Sequence, residues 1–252
     1  MKNNSNIRKF LLNYIEKKVF KKCNYFCFIS NGQKNYFFTK YPKITKKINF
    51  AIINNFLNYN NVIKSIYDDS SDEIKIVYSG GFSRWQNIDK IFEFFSILKK
   101  NYLNRKIIFR IYTSINSFET AKKYMKKYKI EVELLDVPQD ELISKLRKND
   151  IGIIIREKHI VNKTASPFKI QDYLHANLEI ITTKNIGDYD SIFKEKPYVF
   201  FIELNNGKIN FELDKFLDFI SNIREYKKVI PKDIENLFNM DKEIENLINL
   251  LI

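Results

Sequence analysis

Cysteine is nearly absent from this sequence: Cys23 and Cys27 are the only two in 252 residues. That scarcity excludes a disulfide framework and fits reduced thiols in a cytosolic setting. Histidine is equally scarce, with His159 and His175 alone, so the Cys23/Cys27 pair has no partners nearby to complete a zinc site. Long apolar runs are missing too. Stretches such as Ile151 to Ile155 and Val199 to Ile202 are far too short to span a bilayer. Met1 to Glu16 carries basic residues but lacks the apolar core of a signal peptide. No internal repeat, low-complexity block, Walker loop or Ser-His-Asp set is visible, which leaves hydrolase, kinase and metalloenzyme readings without support. The expectation is a soluble cytoplasmic chain.

What is present argues for a folded protein. Hydrophobic residues make up 44% and aromatics 15%, enough for a sizeable core. The net charge of +13 invites a nucleic-acid reading. Against it, the lysines read as spread along many elements, and no helix-turn-helix or ribonucleoprotein motif occurs. A basic surface resting on anionic headgroups at the inner face of a membrane is the better use of that charge.

In chain order, Ile7 to Lys22 reads as an amphipathic helix with Phe10, Leu11, Tyr14, Ile15 and Phe20 supplying its apolar side. Tyr25 to Ile29 is a short strand, Ser30 caps a helix running to Tyr41, and Ile48 to Ile53 is another strand. A polar linker over 61–73 separates this part (1–60) from a regular alternation of strands and helices over 74–230, followed by a terminal helix over 231–252. Strands at Ile74, Lys106, Val132, Ile151, Leu178 and Tyr198 alternate with helices at Asp89, Phe118, Asp140 and Ser166. Two further helices, Phe211 to Tyr226 and Ile234 to Ile252, close the chain. Such alternation specifies an α/β fold with a doubly wound parallel sheet.

The organising stretch is Asp150 to Asp188. It reads as a buried strand, a polar loop from Arg156 to Ala165, a helix with Ser166 as cap and Pro167 at its first position, and a second strand. Ile170, Tyr173 and Leu174 face inward, Lys169 and Asp172 share another face, and Asn177 suits the left-handed helix end. A helix start at the carboxyl ends of parallel strands favours phosphate, because free amides and the helix dipole both attract an anion. After the strand at Ile74, Gly80 and Gly81 allow close backbone approach to such a ligand.

The run Arg156-Glu157, then Val161 to Leu174 with Ser166-Pro167-Phe168-Lys169 and Asp172-Tyr173-Leu174, resembles the nucleotide-sugar loop and helix of GT-B glycosyltransferases. It is most similar to glycosyltransferase family 4, in a branch reading S-P-x-K-x-x-E-Y-L. Tyr78 to Phe82 and Trp85 to Asp89 resemble that family's first strand and glycine turn. Residues 1–60 resemble the tail of the family's N-terminal domain, whose earlier part carries the acceptor pocket.

The resemblance implies a GT-B C-terminal Rossmann-like domain that binds a nucleotide-diphosphate sugar and transfers the sugar with retention, in bacterial surface polysaccharide synthesis. The implied donor-binding residues are Gly80, Gly81, Arg84, Arg156, Glu157, Lys163, Ser166, Pro167, Phe168, Lys169 and Asp172. Asp172 stands where the family's second motif acid holds the ribose hydroxyls. Thr164 stands where the first acid would fall, with Glu157 as its replacement. The family's Arg and Lys around the glycine turn read Gly81 and Gln86, so Arg84, Lys163 or Lys169 must supply the charge. No catalytic residue is assigned, and no metal or cofactor is expected. Asp188-Tyr189-Asp190 matches a D-x-D metal signature of another fold, yet a helix cap is the simpler reading. His159 can touch the donor, whereas His175 is structural. The implied partners are the nucleotide-sugar, a glycan or lipid-linked acceptor, and either a second copy or a separate N-terminal subunit. A non-catalytic nucleotide-sugar-binding half, or a basic membrane-surface or nucleic-acid binder, are the alternatives.

Overall fold

The computed structural model of the protein describes residues 2–54, 73–101, 106–237 and 240–251, so the expected linker over 61–73 lies outside them except for Glu73. The chain opens with α1 (Lys2–Lys22), β1 (Tyr25–Phe28), α2 (Asn31–Lys40), α3 (Pro42–Thr45) and β2 (Asn49–Ile52). β1 and β2 pair in parallel as a small sheet of their own. An aromatic cluster fills this part, with Phe20 stacked on Phe26 at 4.3 Å and Phe28 beside Phe37.

The larger part follows as β3 (Ile74–Ser79), α4 (Ile88–Asn101), β4 (Ile107–Tyr112), α5 (Phe118–Tyr128), β5 (Glu133–Leu135) and α6 (Leu142–Leu146). Then come β6 (Ile151–Ile154), α7 (Ile160–Lys163), α8 (Phe168–His175), β7 (Glu179–Thr183), α9 (Tyr189–Ile192), β8 (Val199–Asn205) and β9 (Lys208–Asn210). The chain ends in α10 (Leu213–Ser221), α11 (Ile223–Tyr226), α12 (Ile230–Leu237) and α13 (Met240–Leu251), the last of which returns to pack against β2.

The sheet order is β5-β4-β3-β6-β7-β8-β9, parallel throughout except for β9. Successive strand side chains point to opposite faces. Ile76 and Tyr78 accordingly join a core with α4, α5 and α10, while Val77 joins a second core with α6, α8, α9 and α12. Helices thus cover both faces of the sheet, as an apolar parallel sheet requires. Each fully buried Phe or Ile contributes about 1.5–3 kcal/mol relative to exposure.

Four expectations need correction. The apolar side of the first helix, which would ordinarily pack inward, is turned largely to solvent: Phe10, Leu11, Tyr14 and Ile15 are exposed, and of that set only Phe20 is buried. The loop from Arg156 to Ala165 contains α7. Where two closing helices are expected, the described residues form four, α10 and α11 being separated at Asn222. The last strand does not end the sheet, since Asn206 (φ 51°) and Gly207 (φ 73°) turn it into the β8–β9 hairpin. Two consecutive left-handed residues match the twist of paired strands, so this turn suits Asn-Gly.

Candidate functional site: the carboxyl ends of β3 and β6

From β3 the chain winds outward through β4 and β5, then crosses back to β6, β7 and β8 on the other side. The winding reverses between β3 and β6, which pair directly through Ile76 and Ile151. A crevice opens at such a reversal, outside the carboxyl ends of the strands. Gly80 and Gly81 follow β3 there, and Arg156 and Glu157 follow β6 shortly after Ile154.

Tyr173 of α8 fixes this junction. Its hydroxyl accepts from the Ser79 amide at 2.9 Å and donates to the Ile153 carbonyl at 3.2 Å, tying the ends of both strands together. The ring lies across β6 at Gly152, where any Cβ would fall inside it. A glycine in the middle of a strand, weak in itself, is required by that close approach.

Two cations meet at the same place. The Lys169 ammonium sits 4.1 Å from the Tyr78 ring centroid and donates to Gln86 Oε1 at 2.9 Å. It also abuts Gly80, whose φ is +136° and where a Cβ would stand 2.7 Å from Nζ. Arg156 is buried; its Nη1 donates to the Trp85 carbonyl at 2.6 Å. The Arg156 backbone is held on both sides by the Thr183 hydroxyl, at 2.7 and 2.8 Å. Both cations rest on neutral oxygens, and neither makes an ion pair among the described residues.

The energetic consequence is visible in their titration. Desolvation pushes Lys169 well below its ordinary value, the Arg156 charge pushes it further, and Asp172 opposes both. Desolvation also lowers Arg156, with Tyr78 and Tyr173 opposing. Burying charge without a partner is costly unless something of opposite sign arrives. Chemically, such an arrangement can receive an anion.

The start of α8 points the same way, with one correction. Pro167, not Ser166, occupies the cap position, and α8 has no side-chain cap. Ser166 is instead buried and hydrogen-bonded to the Tyr189 hydroxyl, which needs a partner in the core. The first amides of α8, at Phe168 and Lys169, therefore lack the side-chain acceptor that a Ser cap would have supplied. At the other end Asn177 adopts φ 59°, and the bonds Leu178 N to Tyr173 O and Asn177 N to Leu174 O close a Schellman motif. Asp172 lies buried on α8, one turn in from the helix start.

Two cavities flank this point. One, of about 250 Å³, is lined by Arg84, Trp85, Asn87, Glu157, His159 and Asn162 among others. The other, of about 300 Å³, is bordered by Arg156, Lys158, Thr183 and Lys184 beside the ends of β7 and β8. Through its bond to the Trp85 carbonyl, Arg156 joins the walls of the two. Of the residues expected from sequence, the structure brings together Gly80, Gly81, Arg156 and Lys169, with Asp172 close enough to act on Lys169 electrostatically. Arg84 and Glu157 both border the first cavity. Phe168 is exposed at the helix start. Lys163 is exposed at the end of α7 and lines neither cavity.

Other expectations also resolve. His159 caps α7, accepting from the Val161 amide at 3.2 Å. His175 is buried with Nδ1 2.8 Å from the Gln171 carbonyl. Asp188 makes no side-chain cap on its own helix; its carboxylate instead accepts from the Asn31 amide at 2.7 Å and the Gly32 amide at 3.2 Å, at the start of α2. Asp190 accepts from the Asn185 and Ile186 amides. Ser30 caps α2 as expected and also donates to the Thr164 carbonyl at 2.9 Å, so the N-terminal part docks on the rim of the crevice. Sequence reasoning missed Tyr78, Gln86 and Tyr173 as site residues. Tyr78 and Tyr173 read as core positions. Gln86 stood where a cation was sought, and its role is to receive one.

No protein-family model and no curated protein matches the sequence. Solved structures do. A glycosyltransferase from Rickettsia africae is similar over 93% of this chain and 65% of its own, at 15% identity and a TM-score of 0.70. The lipopolysaccharide outer core galactosyltransferase WaaB is similar over 91% of this chain and 62% of its own, at 13% identity and a TM-score of 0.62. A chain of the GtfA/B complex is similar over 91% of this chain and 45% of its own, at 12% identity and a TM-score of 0.61. In fold, therefore, the chain is of the GT-B glycosyltransferase type, and it spans less than two thirds of the length of each of these three.

Proposed function

We propose that this chain binds a nucleotide-diphosphate sugar at the β3–β6 junction and serves its transfer to a glycan or lipid-linked acceptor, in surface polysaccharide synthesis. One observation carries the reading: the buried Arg156 and the half-buried Lys169 converge beside Gly80 and the uncapped start of α8, with no carboxylate paired to either among the described residues. A diphosphate supplies the missing charge. Its oxygens would displace Gln86 Oε1 from Lys169 and take the free amides of Phe168 and Lys169. Asp172 would accept hydrogen bonds from the ribose diol, as a carboxylate can. The cavity with Trp85, Glu157, His159 and Arg84 offers an apolar face and polar hydrogen-bonding groups to the sugar.

In transfer, the bond between the anomeric carbon and the diphosphate oxygen breaks, and negative charge grows on the leaving group. Preorganised cations and amides lower that barrier without reorganising, which is usually the largest catalytic term. Because Arg156, Lys169 and the α8 amides do this neutralising, the reading calls for no metal or other cofactor. Donor binding is then a property of these residues, while transfer further requires acceptor-side groups, from this or a partner polypeptide. Retention of configuration follows from the GT-B family 4 resemblance and stands with the proposal.

Calorimetry of the purified chain against UDP, GDP, ADP and CMP tests it. Binding to at least one nucleoside diphosphate, weakened about tenfold or more by Lys169→Met, is expected from loss of a charge-assisted contact. Failure to bind any of the four refutes the reading.

A further inference from the structure

Charge and apolar exposure coincide in one part of the molecule. Residues 1–54 hold twelve of the 43 Lys and Arg but one of the 30 Asp and Glu, so they carry +11 of the net +13. The remaining residues are close to neutral. The positive charge is therefore concentrated in the N-terminal part, unlike the even spread that the sequence first suggests.

Helix α1 carries the core of this patch in an inverted orientation. Its Asn13–Glu16–Phe20 side faces the protein. Glu16 accepts from Lys40 Nζ at 2.5 Å and from the Tyr41 hydroxyl at 2.6 Å, and Phe20 is buried. The opposite side presents Ile7, Phe10, Leu11, Tyr14, Ile15 and Val19, all exposed, Phe10 to 71%. Their spacing of three and four places them on one face of the helix. Arg8, Lys18, Lys21 and Lys22 are exposed within or beside that stripe, and Lys18 lies over the Tyr14 ring. Glu16, the one acid in α1, is consumed by Lys40 and Tyr41, which leaves the lysines of the outer face without an acid on their own helix.

We propose that α1 is an interfacial helix that seats the protein on an anionic lipid surface. The aliphatic and aromatic stripe enters the boundary between headgroups and acyl chains, and the lysine stems reach outward to headgroup phosphates. No helix among the described residues is long and apolar enough to cross a membrane, so α1 lies on the surface rather than through it. The charge selects this occupant over others. A second copy docking face to face would set +11 against +11. A nucleic acid would use the lysines but leave the aliphatic stripe in water. An anionic bilayer satisfies both features at once. The inference does not depend on the donor site.

The test is co-sedimentation of the full chain with vesicles of phosphatidylcholine containing about one third phosphatidylglycerol, against phosphatidylcholine alone. Binding to the anionic vesicles, weakened about tenfold or more by Leu11→Glu/Ile15→Glu and weakened again near 0.5 M salt, is expected. Because these side chains are exposed, the double variant should melt with the parent protein. A second variant, Lys18→Gln/Lys21→Gln/Lys22→Gln, should lose the preference for anionic lipid while keeping the fold. A Phe10→Trp reporter should shift its emission to the blue only when vesicles are added. The proposal is overturned by equal binding to both vesicle types, or by unchanged binding of the double variant. It is also overturned by a reporter already shielded without lipid, as in a dimer or a protein complex, or by random duplex outcompeting the vesicles.

Discussion

The two ends of one parallel sheet treat buried charge in opposite ways. At the amino ends of β6 and β7, Asp150 meets Lys227 at 3.1 Å and also accepts from the Lys75 amide at 2.8 Å, all largely out of water. Glu179 is fully buried beside them, and neither of its carboxyl oxygens has a hydrogen-bond partner. At the carboxyl ends, Arg156 and Lys169 rest on a carbonyl and an amide oxygen and lack any paired acid. A closed pair holds a fold together; cations bonded only to neutral oxygens can take a ligand of opposite charge. Position in the fold agrees, because the winding reverses at the carboxyl ends.

Substitutions at the two lysines should separate the poles most sharply. Lys227→Met leaves Asp150 buried without its cation and should lower unfolding free energy by about 3–5 kcal/mol in urea titration. Lys169→Met removes a cation that costs energy to bury, and should leave stability unchanged or raised while weakening diphosphate binding about tenfold or more. Equal destabilisation by both would erase the distinction.

The next effect is one of pH. Desolvation raises the Glu179 carboxyl to about 9, with Lys227 opposing and Asp150 adding to the shift. Its folded value lies above the unfolded one, so the folded state binds more protons between about pH 4.5 and 9 and stability falls as pH rises through that window. The slope from this group is about 1 kcal/mol per pH unit. Glu179→Gln should flatten it, and thermal melts from pH 5 to 8 compare the two. An unchanged slope would place the charged, not the neutral, acid at this pole.

Gly80 gives a smaller change at the other end. Gly80→Ala crowds the Lys169 ammonium and strains a backbone at φ +136°. It should weaken nucleoside diphosphate binding about tenfold, with about 1–2 kcal/mol lost in stability, as calorimetry and denaturation would report. Normal binding would detach the glycine turn from the site.

Much of this was legible in the sequence. The runs Ile74 to Tyr78 and Ile151 to Ile155 are continuous and apolar because a parallel strand is covered on both faces, and their alternation with helices gave the winding. The Ser166-to-Leu174 run placed α8 within two residues. What stayed hidden was long-range or directional. Asp188 finds its amides 156 and 157 residues away, and Lys169 finds Gln86 83 residues away, partners that no local pattern encodes. Helical spacing shows that Phe10, Leu11 and Ile15 share a side of α1, but not whether that side meets protein or solvent. The Asn206-Gly207 turn is different, because its hairpin signal is local to the sequence.

The most direct measurement of the central claim follows protons. Desolvation and the neighbouring Arg156 charge favour the neutral form of Lys169 in the free protein, and a diphosphate would favour the charged form. Nucleoside diphosphate binding should therefore draw protons from the buffer. Calorimetric enthalpies measured at one slightly alkaline pH, in buffers of different ionisation enthalpy, reveal that uptake. The account predicts net proton uptake by the parent protein and its disappearance in Lys169→Met, assayed at nucleotide concentrations high enough to saturate the variant. Binding with no uptake, or with the same uptake in the variant, would contradict a lysine without a bonded acid at the heart of the site.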